Sequence, residues 1–223
     1  MIPGALAPYE QALEHGGPLG LRRPNGSWIK LDVPRWLAIA DASDGTILDH
    51  CVGPVLDIGC GPGRILRALA FRGIAAVGID ISARAVAIAQ SGGVDAVLAD
   101  VLQLQPNASE WRTALLLDGN IGIGGNVARL LEKARDLLVP RGRLLVETHA
   151  NSDVDHRGLV QFANGRTTLG PHFPWAEVGS DALRGYAEPA GLRIDTTWSH
   201  GGRHFAALSR GLPRRNITLD AAA

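Results

Sequence analysis

Three glycines fall at 59, 61 and 63 in the run Asp57-Ile58-Gly59-Cys60-Gly61-Pro62-Gly63, between an apolar stretch (Val55-Leu56-Asp57-Ile58) and a helix-like stretch, Ile65–Ala70. Glycine lets the backbone turn tightly and approach a ligand closely. The start of the next helix adds free amide donors and a positive dipole end, which suit an anionic group. Alone, such a loop fits a simple tight turn, a dinucleotide site, or a site for a ligand with only a carboxylate and an ammonium. The dinucleotide fingerprint is G-x-G-x-x-G. Here the glycines lie two apart, Pro62 stands between the last two, and Asp57 precedes them. Two more acids follow at strand ends. Asp80 closes Ala75–Asp80 and is placed to accept both hydroxyls of a ribose, or else to favour a helix start before Ser82. Asp100 and Val101 follow the stretch Val94–Asp100. An acid there suits an adenine amino group with an apolar neighbour flanking the ring, or is an ordinary loop acid. Three such sites at successive strand ends fall on the carboxyl edge of a sheet, where open α/β folds bind ligands.

The elements that must hold these residues alternate. Strands are expected at 55–58, 75–80, 94–100, 113–117 and 144–148. Helices are expected at 65–70, at 83–90 behind a Ser82 cap, and from an Asn126 cap to Leu138. Continuous apolar strands alternating with helices predict a parallel sheet covered on both faces. The end differs: a helix at 181–188, then Leu192–Trp198 and His204–Leu208 around Gly201-Gly202, predict an antiparallel hairpin. Residues 1–53 are irregular and punctuated by prolines, with a short helix after Pro34, and read as a cap on the main unit at 54–210. Within that unit, 150–175 has weak periodicity and reads as a substrate-covering loop. Residues 211–223 read as a tail, whose closing three alanines carry no argument.

The chain has 223 residues, 46% of them hydrophobic, enough for one sizeable core. Lys plus Arg and Asp plus Glu number 22 each, so no strong steering toward nucleic acid or an acidic membrane is expected. Cys51 and Cys60 read as reduced thiols. No secretory signal or bilayer-spanning run is evident, and a cytoplasmic protein is expected.

The run Val55–Arg64 resembles the first motif of class I S-adenosylmethionine-dependent methyltransferases. Gly78-Ile79-Asp80-Ile81-Ser82 resembles their second and Ala99-Asp100-Val101 their third, in the same order and spacing, and the closing hairpin resembles their sixth and seventh strands. The resemblance spans about residues 52–209. It implies a doubly wound, mostly parallel seven-stranded sheet with a C-terminal antiparallel hairpin, and S-adenosylmethionine as cofactor. It also implies roles. Gly59, Cys60 and Gly61 present backbone to the methionine part, and Asp57 orders the loop or reaches the ammonium through water. Asp80 holds the ribose, Ile81 packs on adenine, and Asp100 with Val101 reads the adenine edge. Arg64 reads as a solvated helix arginine.

After the fourth strand, Asp118-Gly119-Asn120 departs from the Asn-Pro-Pro-Tyr type motif of methyltransferases that act on nucleobase or amide nitrogen. Asn120 is expected near the transferred methyl, orienting cofactor or substrate. Asp118 loosely fits the first acid of metal-dependent catechol methyltransferases, but no Asp-Asn pair follows the fifth strand, so no metal is expected. His149 ends that strand, with Glu147 two positions earlier on the same face, and reads as a candidate base. His156 and His172 follow as weaker candidates. Together these residues predict methyl transfer to an O, N or C atom of a small molecule, in secondary metabolism, with no nucleic-acid or membrane partner. The competing readings are a protein of this fold that binds the cofactor without methylating and, further off, a dinucleotide-dependent oxidoreductase.

Overall fold

The computed structural model describes residues 6–105 and 110–211. The expected tail apart from Gly211, with its closing alanines, and the opening Met1–Gly4 lie outside the described residues. In chain order, helix α1 (Ala7–His15) precedes strands β1 (Leu19–Arg22) and β2 (Trp28–Leu31) and helices α2 (Val33–Leu37) and α3 (Ala42–Leu48). Then come β3 (Val55–Ile58), α4 (Arg64–Phe71), β4 (Ala76–Asp80), α5 (Ala83–Ser91), β5 (Ala96–Leu98) and β6 (Trp111–Leu116). A 3-10 turn (Asn120–Gly122), α6 (Val127–Leu137), β7 (Leu138–Thr148), β8 (Asp155–Asn164), β9 (Thr167–Val178), α7 (Ser180–Ala187), β10 (Leu192–His200) and β11 (Arg203–Arg210) complete the chain.

The main sheet runs β10-β11-β7-β6-β3-β4-β5, parallel from β7 to β5, with the β10–β11 hairpin antiparallel against β7. Strand alternation sorts its side chains into two cores. Leu56, Ile58, Ala114, Leu116, Leu144 and Val146 meet α6 and α7 on one face. Val55, Leu115, Leu145 and Phe205 meet α3 and α4 on the other. The expected caps are made: Ser82 Oγ accepts from the Ala85 N–H at 3.1 Å, and Asn126 Oδ1 from that of Arg129 at 3.1 Å.

A second, four-stranded antiparallel sheet, ordered β2-β1-β8-β9, lies over the carboxyl edge of the first. It takes two strands from the proline-punctuated N-terminal segment and two from the segment expected as a loop. That expectation is corrected. Asn164 and Thr167 pair around Gly165-Arg166, with Gly165 at φ 58°, which suits a two-residue hairpin turn. Leu169, Pro171, Phe173 and Trp175 alternate inward along β9. Pro171 and Pro174 disguise this as loop, but β9 is an edge strand, where a missing N–H is tolerated. The two sheets meet where β9 packs on the 3-10 turn: a Cβ on Gly122 would lie 2.2 Å from the Ala176 carbonyl oxygen, so only glycine permits the approach.

Candidate functional site

A cavity of about 400 Å³ opens at the carboxyl edge of the main sheet. All nine residues expected around a cofactor line it: Asp57, Gly59, Cys60, Gly61, Asp80, Ile81, Asp100, Val101 and Asn120. They form its floor. The glycine loop is held from two sides. The Asp80 carboxylate accepts from the Gly61 N–H at 2.9 Å and from the Ser82 N–H at 2.8 Å. The Asn120 amide donates to the carbonyls of Ile58 and Gly59, both at 2.9 Å. Gly59 has φ 74°, and a Cβ on it would meet Asn120 Nδ2 at 2.5 Å, so no other residue fits. Asp100 Oδ1 accepts from the Leu102 N–H at 2.9 Å, fixing the turn after β5.

The floor is rich in strained acidity. Burial raises Asp57 from 3.8 to about 7, despite the opposing pull of Arg64. Burial also raises Asp80, held back by its hydrogen bonds from Ser82 and Gly61. A cation placed in the cavity would favour both carboxylates. The floor therefore suits a ligand with a positive end and hydroxyl groups.

The roof has a different character. Tyr9 from α1, Trp36 from α2, Phe162 from β8 and Phe173 and Trp175 from β9 face the cavity. Tyr9 meets Trp36 edge-on at 5.9 Å, Phe162 lies 4.9 Å from Phe173, and Phe173 meets Trp175 edge-on at 6.4 Å between ring centroids. The Tyr9 hydroxyl hangs over the glycine loop, 3.4 Å from where a Cβ on Gly61 would stand. Burial raises its pKa well above the ordinary value, so it stays protonated at neutral pH. Helix α1 is fastened to α5: Ser82 Oγ donates to Glu10 Oε1 at 2.9 Å, and Arg84 pairs with Glu14 at 3.1 Å.

Beside the floor lies an ion-pair cluster that sequence reasoning missed. Asp44 is fully buried, and Asp118 sits at φ 54° after β6. Each is bonded by the same three guanidinium groups, those of Arg35, Arg64 and Arg203. Arg203 also pairs with Glu147, through Nε at 2.7 Å and Nη2 at 2.5 Å. Burial would raise Asp44, but Arg64 overcomes it and the carboxyl falls from 3.8 to about 2. Arg64 is thus only 3% exposed, not the solvated helix arginine expected. The Asp118 carboxylate is occupied by arginines, which leaves it poorly suited to a metal.

The expected base does not reach the cavity. His149 is exposed, does not line the cavity, and its Nδ1 accepts from the Asn151 N–H at 3.0 Å. An isolated parallel bridge pairs residue 149 with Gly179 just past the end of β7. Glu147, expected to support it, instead binds Arg203 and the Asp118 N–H, the latter at 2.6 Å. Its role is to hold the turn after β6. Of the histidines after β7, His172 lines the cavity while His156 does not. No spacing rule pointed to Tyr9, Asp44 or Arg203, since each comes from a different part of the chain.

Residues 55–142 match a family model described as a methyltransferase domain. No curated protein matches the chain in sequence. Among solved structures, the chain is similar to a SAM-dependent methyltransferase from Bacteroides fragilis in complex with S-adenosyl-L-homocysteine, at 22% identity and TM-score 0.77, with 95% of this chain and 98% of that chain covered. That coverage is too large to leave out either the N-terminal segment or the β8–β9 hairpin. It is also similar to 1,6-didemethyltoxoflavin-N1-methyltransferase from Burkholderia thailandensis, at 18% identity and TM-score 0.59, covering 77% of this chain and 78% of that chain. A third is CalS10, an amino pentose methyltransferase from Micromonospora echinaspora involved in calicheamicin biosynthesis, at 14% identity and TM-score 0.59, covering 79% and 94%.

Proposed function

We propose that this chain, a class I methyltransferase by its domain match and its fold, moves a methyl group from S-adenosylmethionine to an O, N or C atom of a small molecule. The observation that carries this reading is the floor: nine residues from three strand ends and the turn after β6 line one cavity. They fit the cofactor. Gly61, at φ 54°, has only the Tyr9 hydroxyl within 4 Å of where a Cβ would stand, so a side chain there would fill space open to a ligand, while Gly59, at φ 74°, lets the Asn120 amide lie against the loop. When bound, the cofactor supplies a methyl on a sulfonium, whose carbon–sulfur bond breaks as the acceptor's lone pair forms the new one, leaving S-adenosylhomocysteine and a proton.

The chain's own residues bind, orient and exclude water. Asp57 answers the positive end of the cofactor, Asp80 the ribose, and Asp100 with Val101 and Ile81 the adenine. Asn120 fixes the loop beneath. Holding the two reactants in line is the larger part of such catalysis. His149 lies too far out to take the acceptor's proton, so the reaction relies on positioning, with His172 as the histidine at the cavity wall. The roof over the floor supports a small acceptor. So do the toxoflavin-precursor and amino-pentose methyltransferases of similar fold, which also support a place in secondary metabolism.

Isothermal titration with S-adenosylmethionine and, separately, with NAD tests this. Binding of the former at about micromolar Kd, lost in Asp80→Ala, is expected. Binding of NAD beside none of S-adenosylmethionine would overturn the reading in favour of an oxidoreductase.

A further inference from the structure

Resting on the methyltransferase reading, the roof says which acceptor the site takes. Once the floor is given to the cofactor, the walls left for the acceptor are led by Tyr9, Trp36, Phe162, Phe173 and Trp175, backed by Leu31, with His172 beside them and Asp118 at the margin, its carboxylate taken by three arginines. Among the described residues, the roof contributes no Lys, Arg, Asp or Glu to the cavity lining. The nearest guanidinium, that of Arg64, is bound to both Asp44 and Asp118 and is not free to receive an anion. The rings stand at steep angles to one another, 89° between Phe173 and Trp175 and 78° between Tyr9 and Trp36. Such walls present faces and edges against which a flat ring packs. The Tyr9 hydroxyl, which has no hydrogen-bond partner among the described residues, offers one protonated donor, and the other polar side-chain groups on these walls are the indole N–H groups of Trp36 and Trp175 and the His172 ring. A sugar would bring more hydroxyls than these few groups can pair, at a cost of about 1–3 kcal/mol for each one left unpaired.

We infer that the acceptor is a neutral, flat, largely apolar ring compound that carries its nucleophilic atom on or beside the ring. It is held between the aromatic roof and the cofactor, with few hydrogen bonds.

The probes are 2-naphthol, 2-naphthoate, 1-naphthylmethylammonium and methyl glucosaminide, titrated into the full chain preloaded with S-adenosylhomocysteine, whose own binding is measured first. The inference expects 2-naphthol to bind at least about tenfold more tightly than the other three, a difference of about 1.4 kcal/mol. It expects Trp36→Ala to weaken 2-naphthol binding by about tenfold while the S-adenosylhomocysteine affinity stays within about twofold. It expects Leu31→Arg, which sets a cation into the roof, to shift the preference toward 2-naphthoate. Tighter binding of the sugar or of either charged probe overturns the inference, as does 2-naphthol binding unchanged in both variants. If S-adenosylhomocysteine itself fails to bind, the functional reading falls and the inference with it. Binding of S-adenosylhomocysteine with the wrong acceptor preference defeats the inference alone.

Discussion

The cavity floor sets Asp57, Asp80 and Asp100 at the ends of three parallel strands, with the loop between them shaped by glycine. The roof gathers Tyr9, Trp36, Phe162, Phe173 and Trp175 from two helices and an antiparallel sheet. One surface is polar and tuned by burial; the other is aromatic and nearly uncharged. The difference separates two tasks. On the proposed reading, a floor of fixed acids takes a ligand of constant chemistry, whereas the apolar roof takes the acceptor, which changes from one enzyme to the next. The ion-pair cluster stands at the seam: Arg35, one residue before the roof's Trp36, is bonded to Asp44 and Asp118 beside the floor.

The sharpest way to break the floor is Gly59→Val. Strain at φ 74° and collision with Asn120 should reduce S-adenosylmethionine affinity by about a hundredfold or more, measured by titration. At the seam, Asp44→Ala leaves the buried Arg64 and the half-buried Arg35 and Arg203 with one aspartate fewer. Urea denaturation should show a loss of about 3–5 kcal/mol. The wild-type contribution of Asp44 is present above its unfolded value of 3.8 and is lost as pH falls through about 2.

Asp57 has the opposite sign. Its folded pKa is raised, so its contribution to the stability of the cofactor-free protein is full below 3.8 and lost as pH climbs through about 7. Asp57→Asn should therefore raise the melting temperature at pH 8 more than at pH 5. In the wild type, affinity for the cationic cofactor should rise about tenfold per pH unit up to about pH 7 and then level off. Asp57→Asn should flatten that profile. The roof should respond otherwise: Trp175→Phe should leave cofactor affinity within about twofold and act on acceptor KM, because Trp175 lies in the roof proposed to take the acceptor. The smallest effect belongs to His149→Ala. An exposed side chain outside the cavity should change stability by no more than about 0.5 kcal/mol and leave kcat nearly intact in a methyl-transfer assay.

The same contrast explains what was legible in the sequence. The floor is local: a strand, a glycine turn and a helix follow one another without interruption, so Asp57, Gly59, Gly61, Asp80 and Asp100 announce themselves by spacing. The roof is non-local. β1 pairs with β8, which comes after β3 to β7 of the main sheet in the chain, and no spacing links Leu21 to Phe162. Within β9, Pro171 and Pro174 masked an alternation that was present, and Asn164-Gly165 already carried a hairpin signal. His149 sat at the right strand end by alternation, but its side chain is exposed, accepts from the Asn151 N–H and does not line the cavity. The three-arginine cluster draws on α2, α3, α4 and the ends of β6, β7 and β11, and only the folded chain brings those elements together.

A crystal structure of the full chain grown with S-adenosylhomocysteine tests the division most directly. The account predicts the ligand on the floor, its amino-acid end over Gly59–Gly61, its ribose at Asp80 and its adenine beside Asp100 and Val101, with the aromatic roof above it. A ligand seated against Phe162 and Phe173 and out of reach of Asp80 would contradict it.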